Sequence, residues 1–207
     1  MKLYTSTGPN PRIVKMALAE KGLAPERIVI DLRGGENRQP DFLALNPAGQ
    51  LPVLVSDDGR IIPETVAICE YLEEIHPTPP LIGTTTAERT ETRVALRRVE
   101  QAYVTPMLGA FRYGPGLEIF KNRMRCLPEA AEGMAAQARD GEAWLETLLG
   151  AKPYLTGDRF TLADLVLYCM MDFAAERAGL ARDPAHDNLA GWFDRVKARP
   201  SAEASLA

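Results

Sequence analysis

Asn46-Pro47-Ala48-Gly49-Gln50-Leu51-Pro52-Val53-Leu54, followed by Pro63-Glu64-Thr65-Val66-Ala67-Ile68, is the stretch whose reading decides the fold. It describes a turn, an X-Pro entry into a strand, a short hairpin, and a helix that begins with an acid and a hydroxyl. Together these parts can hold a small anionic peptide by its backbone, with an extended edge beside an anion site. A cis Leu51-Pro52 bond would turn the chain and leave the Leu51 N–H and C=O for an extended guest; a trans proline entering an ordinary strand is the alternative.

The surroundings favour the first reading. Met1 to Tyr4 reads as a strand, and Gly8-Pro9-Asn10-Pro11 opens a helix with Asn10 as N-cap and Pro11 in the first turn. Ile13, Val14, Ala17 and Leu18 follow at helical spacing, and Gly22 stops the helix. Residues 26–31 alternate around Ile28 and Ile30 as a second strand. Val53–Val55 and Arg60–Ile62 flank Ser56-Asp57-Asp58-Gly59 as a hairpin, and a helix over 65–76 closes the unit. The order βαβ then ββα, with a mixed sheet, is the layout of a thioredoxin-like domain.

Punctuation marks the end of that domain. Residues 1–77 form it, Pro77-Thr78-Pro79-Pro80 breaks the last helix, and 78–86 read as a linker. From 87 to 207 only helical patterns remain, which predicts an all-α bundle and an α/β + α chain. Residues 87–111 carry Val99, Tyr103 and Met107 at i, i+4 spacing, with a kink expected at Pro106. Residues 129–149 form a second long helix, and 189–199 a short amphipathic one. Between them Leu165 to Met171 is apolar all round, as suits the centre of a bundle, with Thr161 and Asp164 spaced as a capping box.

The chain resembles the cytosolic-type, bacterial-like glutathione S-transferases over nearly its whole length. The residues that carry the resemblance are Asn46 to Leu54, the pair Glu64-Thr65 leading into Ala67-Ile68-Cys69-Glu70-Tyr71-Leu72, and Phe160-Thr161-Leu162-Ala163-Asp164 far downstream. The resemblance implies glutathione as co-substrate, attack of its thiolate on a small hydrophobic electrophile, a homodimer and a role in detoxification. The same scaffold also serves glutathione-dependent disulfide or peroxide reduction, isomerisation or dehalogenation, and non-catalytic binding or regulatory modules. Thiolate formation separates the enzymes from the modules.

That chemistry sets a requirement. A thiol of pKa ~8.5 is about 3% ionised at pH 7, and lowering it by ~2 units takes about 2.7 kcal/mol of preferential stabilisation. One or two hydrogen bonds to the sulfur, at ~1.5–3 kcal/mol each, together with a helix N-terminal dipole, are enough. Alignment with serine-type members puts Gly8 at the hydroxyl position, which cannot donate from a side chain. Asn10 matches the cysteine of cysteine-type bacterial members; it can donate to a thiolate, cap the helix, or both. Ser6 and Thr7 are the other catalytic candidates, with Thr5 a further one if the loop shifts by a residue. Tyr4 is expected in the core and Arg12 in solvent.

The remaining substrate-binding positions follow from the resemblance. Glu64 and Thr65 would receive the γ-glutamyl group, and the Leu51-Pro52 dipeptide would present its backbone edge to the extended tripeptide. Gln50 would face the glycyl end, with Arg38 and Gln39 as candidates for its carboxylate. Phe111 and Tyr113 would wall the electrophile pocket, whereas Met107 is expected in the core.

Composition narrows the classes. A 46% hydrophobic content over 207 residues supports two packed cores. The net charge of -4, with no basic run longer than Arg97-Arg98, argues against nucleic acid. With no leader pattern and no long apolar run, a cytoplasmic protein without membrane partners is expected. Cys69, Cys126 and Cys169 share no metal-like spacing with each other or with His76 and His186, so neither a metal site nor a disulfide framework is expected.

Overall fold

The computed structural model describes residues 1–207, which divide into two compact units, Met1–Leu81 with Pro200–Ala207, and Ile82–Arg199. In the first unit, β1 (Lys2–Thr5), α1 (Pro9–Glu20) and β2 (Glu26–Val29) form the βαβ half. Next comes α2 (Pro40–Leu45), then the hairpin of β3 (Val53–Val55) and β4 (Ile61–Pro63), then α3 (Thr65–Ile75). The sheet order is β2-β1-β3-β4, with β1 parallel to β2 and antiparallel to β3, and β3 antiparallel to β4.

The strands are short, so the sheet is held by what covers it. Leu3, Val53 and Leu54 are fully buried, as are Ile13, Val14 and Ala17 of α1 and Ile68 and Leu72 of α3. At β2, Ile30, Phe42 and Val53 form a core patch joined by Tyr4, whose ring meets Phe42 edge-on at 6.3 Å. Tyr4, expected in the core, is half-buried at its edge. Lys21 and Glu73 form a buried ion pair at 2.7 Å; the ammonium also donates to the carbonyls of His76 (2.7 Å) and Pro79 (3.1 Å), and the carboxylate accepts the Leu81 N–H at 3.0 Å. Because every donor and acceptor at this pair is matched, the buried charges are tolerated, and the proline-rich segment is fixed to the ends of α1 and α3.

The second unit is helical. Its α4 (Thr86–Val99) runs through a π-helical turn, Glu100–Val104, into α5 (Thr105–Tyr113), so the irregularity expected at Pro106 takes the form of a wide turn just before it. Then follow α6 (Leu117–Phe120), α7 (Ala131–Leu149), α8 (Leu162–Phe173), a second π turn over Ala174–Ala178, and α9 (Asp187–Lys197). Val99, Tyr103 and Met107 are buried in line, as their spacing predicts. A Cβ on Gly141 of α7 would sit 1.9 Å from the Ala102 carbonyl oxygen, so only glycine lets α7 approach the first π turn this closely.

Helix α8 is buried on every side, and Asp164 anchors its start. That carboxylate accepts from the Thr161 N–H (2.9 Å) and hydroxyl (2.9 Å), the Leu155 N–H (3.0 Å) and the Trp192 indole (2.9 Å). The acid half of the expected capping box therefore forms, while the Thr161 hydroxyl donates to the carboxylate. On α7, Glu142 accepts from His186 Nδ1 and the Asp183 N–H, both at 2.8 Å, and Glu146 accepts from the Asn188 and Leu189 N–H groups, so two carboxylates of one helix hold the start of α9.

One expectation changes at the C-terminus. The helical pattern led to a second domain running to 207, but α10 (Pro200–Ala204) packs on α1 and belongs to the first unit. Ala202 and Ser205 are buried there, whereas residues near Arg199 still belong to the bundle. Periodicity identified a helix but carried no information on which core it would join.

Candidate active site

The first turn of α1 departs from the expected cap. The helix begins at Pro9 with Gly8 as N-cap, and no side chain caps it; Asn10 lies inside the first turn. The cause is Gly8, whose φ of 124° and ψ of 169° belong to a region used almost only by glycine. A Cβ at Gly8 would meet nothing within 4 Å, so conformation, and not lack of room, explains the glycine. Pro9 and Pro11 bring no N–H, and the Arg12 N–H is bonded to the Gly8 carbonyl at 3.3 Å. All open donor capacity at this positive helix end therefore sits on Asn10, through its N–H and its amide.

The loop over 46–52 is braced from within. Asn46 Oδ1 accepts the Ala48 N–H at 3.1 Å while its Nδ2 donates to the Gln50 carbonyl at 2.9 Å. Asn37, buried beneath, donates to the Gly49 carbonyl at 2.7 Å, and Gly49 adopts φ 62° with Arg38 and Asn37 packed against it. The Leu51-Pro52 bond is cis, and the Leu51 N–H and C=O form no hydrogen bond within the chain. Asn46 is the residue that sequence reading missed; its signal was the Asn-Pro pair that sets up a side-chain-closed turn.

At the start of α3, Glu64 has φ 71°, the single residue besides glycine in the left-handed region. Such strain costs on the order of 1–3 kcal/mol and persists where the surroundings impose it. It aims the exposed Glu64 carboxylate outward and opens the helix at Thr65; the first helical bond runs from the Ile68 N–H to the Glu64 carbonyl at 2.9 Å, leaving the Thr65 and Val66 N–H groups ahead of it.

These pieces converge. Asn10, Asn46, Gln50, Leu51, Pro52, Glu64 and Thr65 line one small, open cleft in the first unit. It offers amide and N–H donors at one helix start, a hydroxyl and N–H groups at another, an unpaired backbone edge between them, and one carboxylate. A small peptide carrying both charges matches that set. Other expected residues lie elsewhere. Ser6 is half-buried and Thr7 exposed, and neither lines the cleft. Arg38 donates to the Ala48 carbonyl at 3.2 Å, bracing the loop from outside, and Gln39 is exposed at the start of α2. In the helical unit, Phe111 packs edge-on against Phe173 (4.8 Å) and Phe120 (5.9 Å), and Tyr113 is half-buried at the end of α5. Arg12, expected in solvent, is tied to Ser205.

Known proteins resemble this chain over nearly its whole length. Residues 7–75 match the family model described as glutathione S-transferase, N-terminal domain, and residues 128–195 that of the C-terminal domain. Glutathione S-transferase 2 of Saccharomyces cerevisiae is 33% identical over 98% of this chain and 87% of its own length. The maleylacetoacetate isomerase of Pseudomonas aeruginosa is 34% identical over 88% of this chain and 85% of its own. The crystal structure of Gtt2 from Saccharomyces cerevisiae superposes with a TM-score of 0.90 at 33% identity, covering 100% of both chains.

Proposed function

The chain belongs to the glutathione S-transferase family, and on that premise we propose that it binds glutathione in the cleft of its first unit and transfers the thiolate to a small hydrophobic electrophile. Thr65, through hydroxyl and N–H, takes the γ-glutamyl carboxylate, and Glu64 the adjacent ammonium. The Leu51 N–H and C=O pair with the cysteinyl backbone, and Gln50 faces the glycyl end. Asn10 meets the sulfur with its N–H and amide at the positive end of α1, favouring the thiolate. The thiolate lone pair then attacks the electrophilic carbon, forming the S–C bond as the leaving group departs or the adjoining π bond accepts the electrons.

The observation that carries this reading is the single cleft joining Asn10, Leu51 and Thr65. The reading assigns no chemistry to Ser6, Thr7, Arg38 or Gln39, and leaves Phe111 and Tyr113 as apolar residues for the electrophile. It includes detoxification in the cytoplasm as the setting and a homodimer as the assembly. For the dimer, Val94 of α4 is 43% exposed on a surface it shares with Arg93, Arg97 and Arg98, an apolar spot among charges that suits a second copy. No helix is long and apolar enough to cross a membrane.

Titration of bound glutathione by ultraviolet thiolate absorbance tests the proposal. The expected result is a thiol pKa well below that of free glutathione, raised by about 1–2 units in Asn10→Ala with affinity nearly unchanged. A bound thiol with its ordinary pKa would instead identify a binding module.

A further inference from the structure

The turn that carries Asn10 has little fastening of its own. Its cap is Gly8 without a side-chain bond, two of its residues are prolines, and its first backbone bond, Arg12 N–H to Gly8 C=O, is long at 3.3 Å. A side-chain contact ties this turn to a segment distant in sequence: Arg12 Nε donates to Ser205 Oγ at 3.1 Å.

Ser205 is built to receive that contact. It is fully buried; its hydroxyl donates to the Ala202 carbonyl at 2.6 Å, which leaves the oxygen lone pairs for Arg12, and its N–H is bonded to the Ser201 carbonyl at 3.0 Å. Lys15 Nζ and an Arg27 guanidinium N–H both donate to the Ala207 carbonyl oxygen at 3.0 Å, holding the same turn down. Ser201 bonds Glu20 at the opposite end of α1. The C-terminal turn thus splints α1 at both ends, and the Ser205 end is the one beside the cleft. Between Arg12 and Asn10 stands Pro11, whose fixed φ makes the link stiff.

We infer that Ser205 is a positioning residue for Asn10, holding the first turn of α1, through Arg12, in the orientation in which Asn10 meets the glutathione sulfur. The inference rests on the function proposed above. Ser205 touches no substrate and acts only through the turn, so its effect must vanish when Asn10 is gone.

A double-mutant cycle on the full chain, read as the thiol pKa of bound glutathione with unfolding followed in parallel, provides the test. Ser205→Ala should raise that pKa by about half to one unit in the native background and by nothing in an Asn10→Ala background. Arg12→Met should behave alike, as a second route should Ser205→Ala fold poorly. Ser201→Ala, which releases the other end of α1, should lower stability and leave the pKa in place. No shift in Ser205→Ala or Arg12→Met, or equal shifts with and without Asn10, would overturn the inference while leaving glutathione binding intact. Absence of any shift in Asn10→Ala would overturn the Asn10 assignment and this inference with it.

Discussion

The indole Nε1 of Trp192 donates to the buried carboxylate of Asp164 at 2.9 Å, joining α9 to the start of α8 inside the bundle. The same carboxylate takes the Leu155 and Thr161 N–H groups. Burial pushes the Asp164 carboxyl above its usual range, with hydrogen bonds from Leu155, Trp192 and Thr161 opposing it. A raised folded-state pKa means that this group's contribution to stability falls as pH rises from the unfolded-state value toward the folded one.

Asp164→Ala would strand four donors in an apolar interior. At about 1–3 kcal/mol for each orphaned group, a loss of more than ~3 kcal/mol is expected in urea unfolding. A loss below 1 kcal/mol would show that water replaces the carboxylate.

Thr65→Ala removes one hydroxyl from the start of α3 and leaves the N–H groups there. Glutathione affinity should fall by about 1–2 kcal/mol, the scale of one hydrogen bond to a charged group. Calorimetry reporting an unchanged Kd would refute the γ-glutamyl assignment.

Gly8→Ser supplies the hydroxyl that serine-type relatives carry, in open space but at a backbone angle serine avoids. The variant should lose about 1–3 kcal/mol of stability and gain no thiolate from the hydroxyl unless the turn relaxes. A variant of native stability with a lowered thiol pKa would mean that the turn yields easily.

Glu88 offers a pH test in the helical unit. Hydrogen bonds from the Thr84 hydroxyl, the Thr84 N–H and the Thr85 N–H hold its carboxyl down at about 2, against 4.5 unperturbed. Because the folded-state value is depressed, the stabilisation is complete above about pH 4.5 and is lost as pH falls toward 2. Glu88→Gln should flatten that part of the stability profile relative to wild type; parallel profiles would contradict it.

Much of the fold was legible because its signals are local. Hairpin, X-Pro entry and buried α8 each declare themselves through period or punctuation, and observed strand ends differ by up to two residues from the expected ones. The start of α1 misled because Asn-Pro reads as cap and first turn, while the decisive fact, the dihedral angle of Gly8, is a backbone property that sequence leaves open. Helix α2 carried Pro40 and Asp41 at its start, yet six residues are too few to show a period. Gln50, Leu51, Glu64 and Thr65 line one cleft, and sequence could group them because each pair is contiguous. Arg38 and Arg12 misled for the opposite reason: a charged side chain reads as solvated or ligand-binding until its partner, Ala48 or Ser205, is known, and neither partner is set by periodicity.

The return of Pro200–Ala207 to the first unit also orders events in time. During synthesis the sheet, α1 and α3 are complete early, but the surface of α1 that Ala202 and Ser205 cover stays open until all of Ile82–Arg199 has been made. A fragment cut at Ile75 would lack that cover, and would also deprive the buried Lys21 of the His76 and Pro79 carbonyls and Glu73 of the Leu81 N–H. The first unit is therefore a late-maturing part, finished only by a segment that follows the whole helical unit in the sequence.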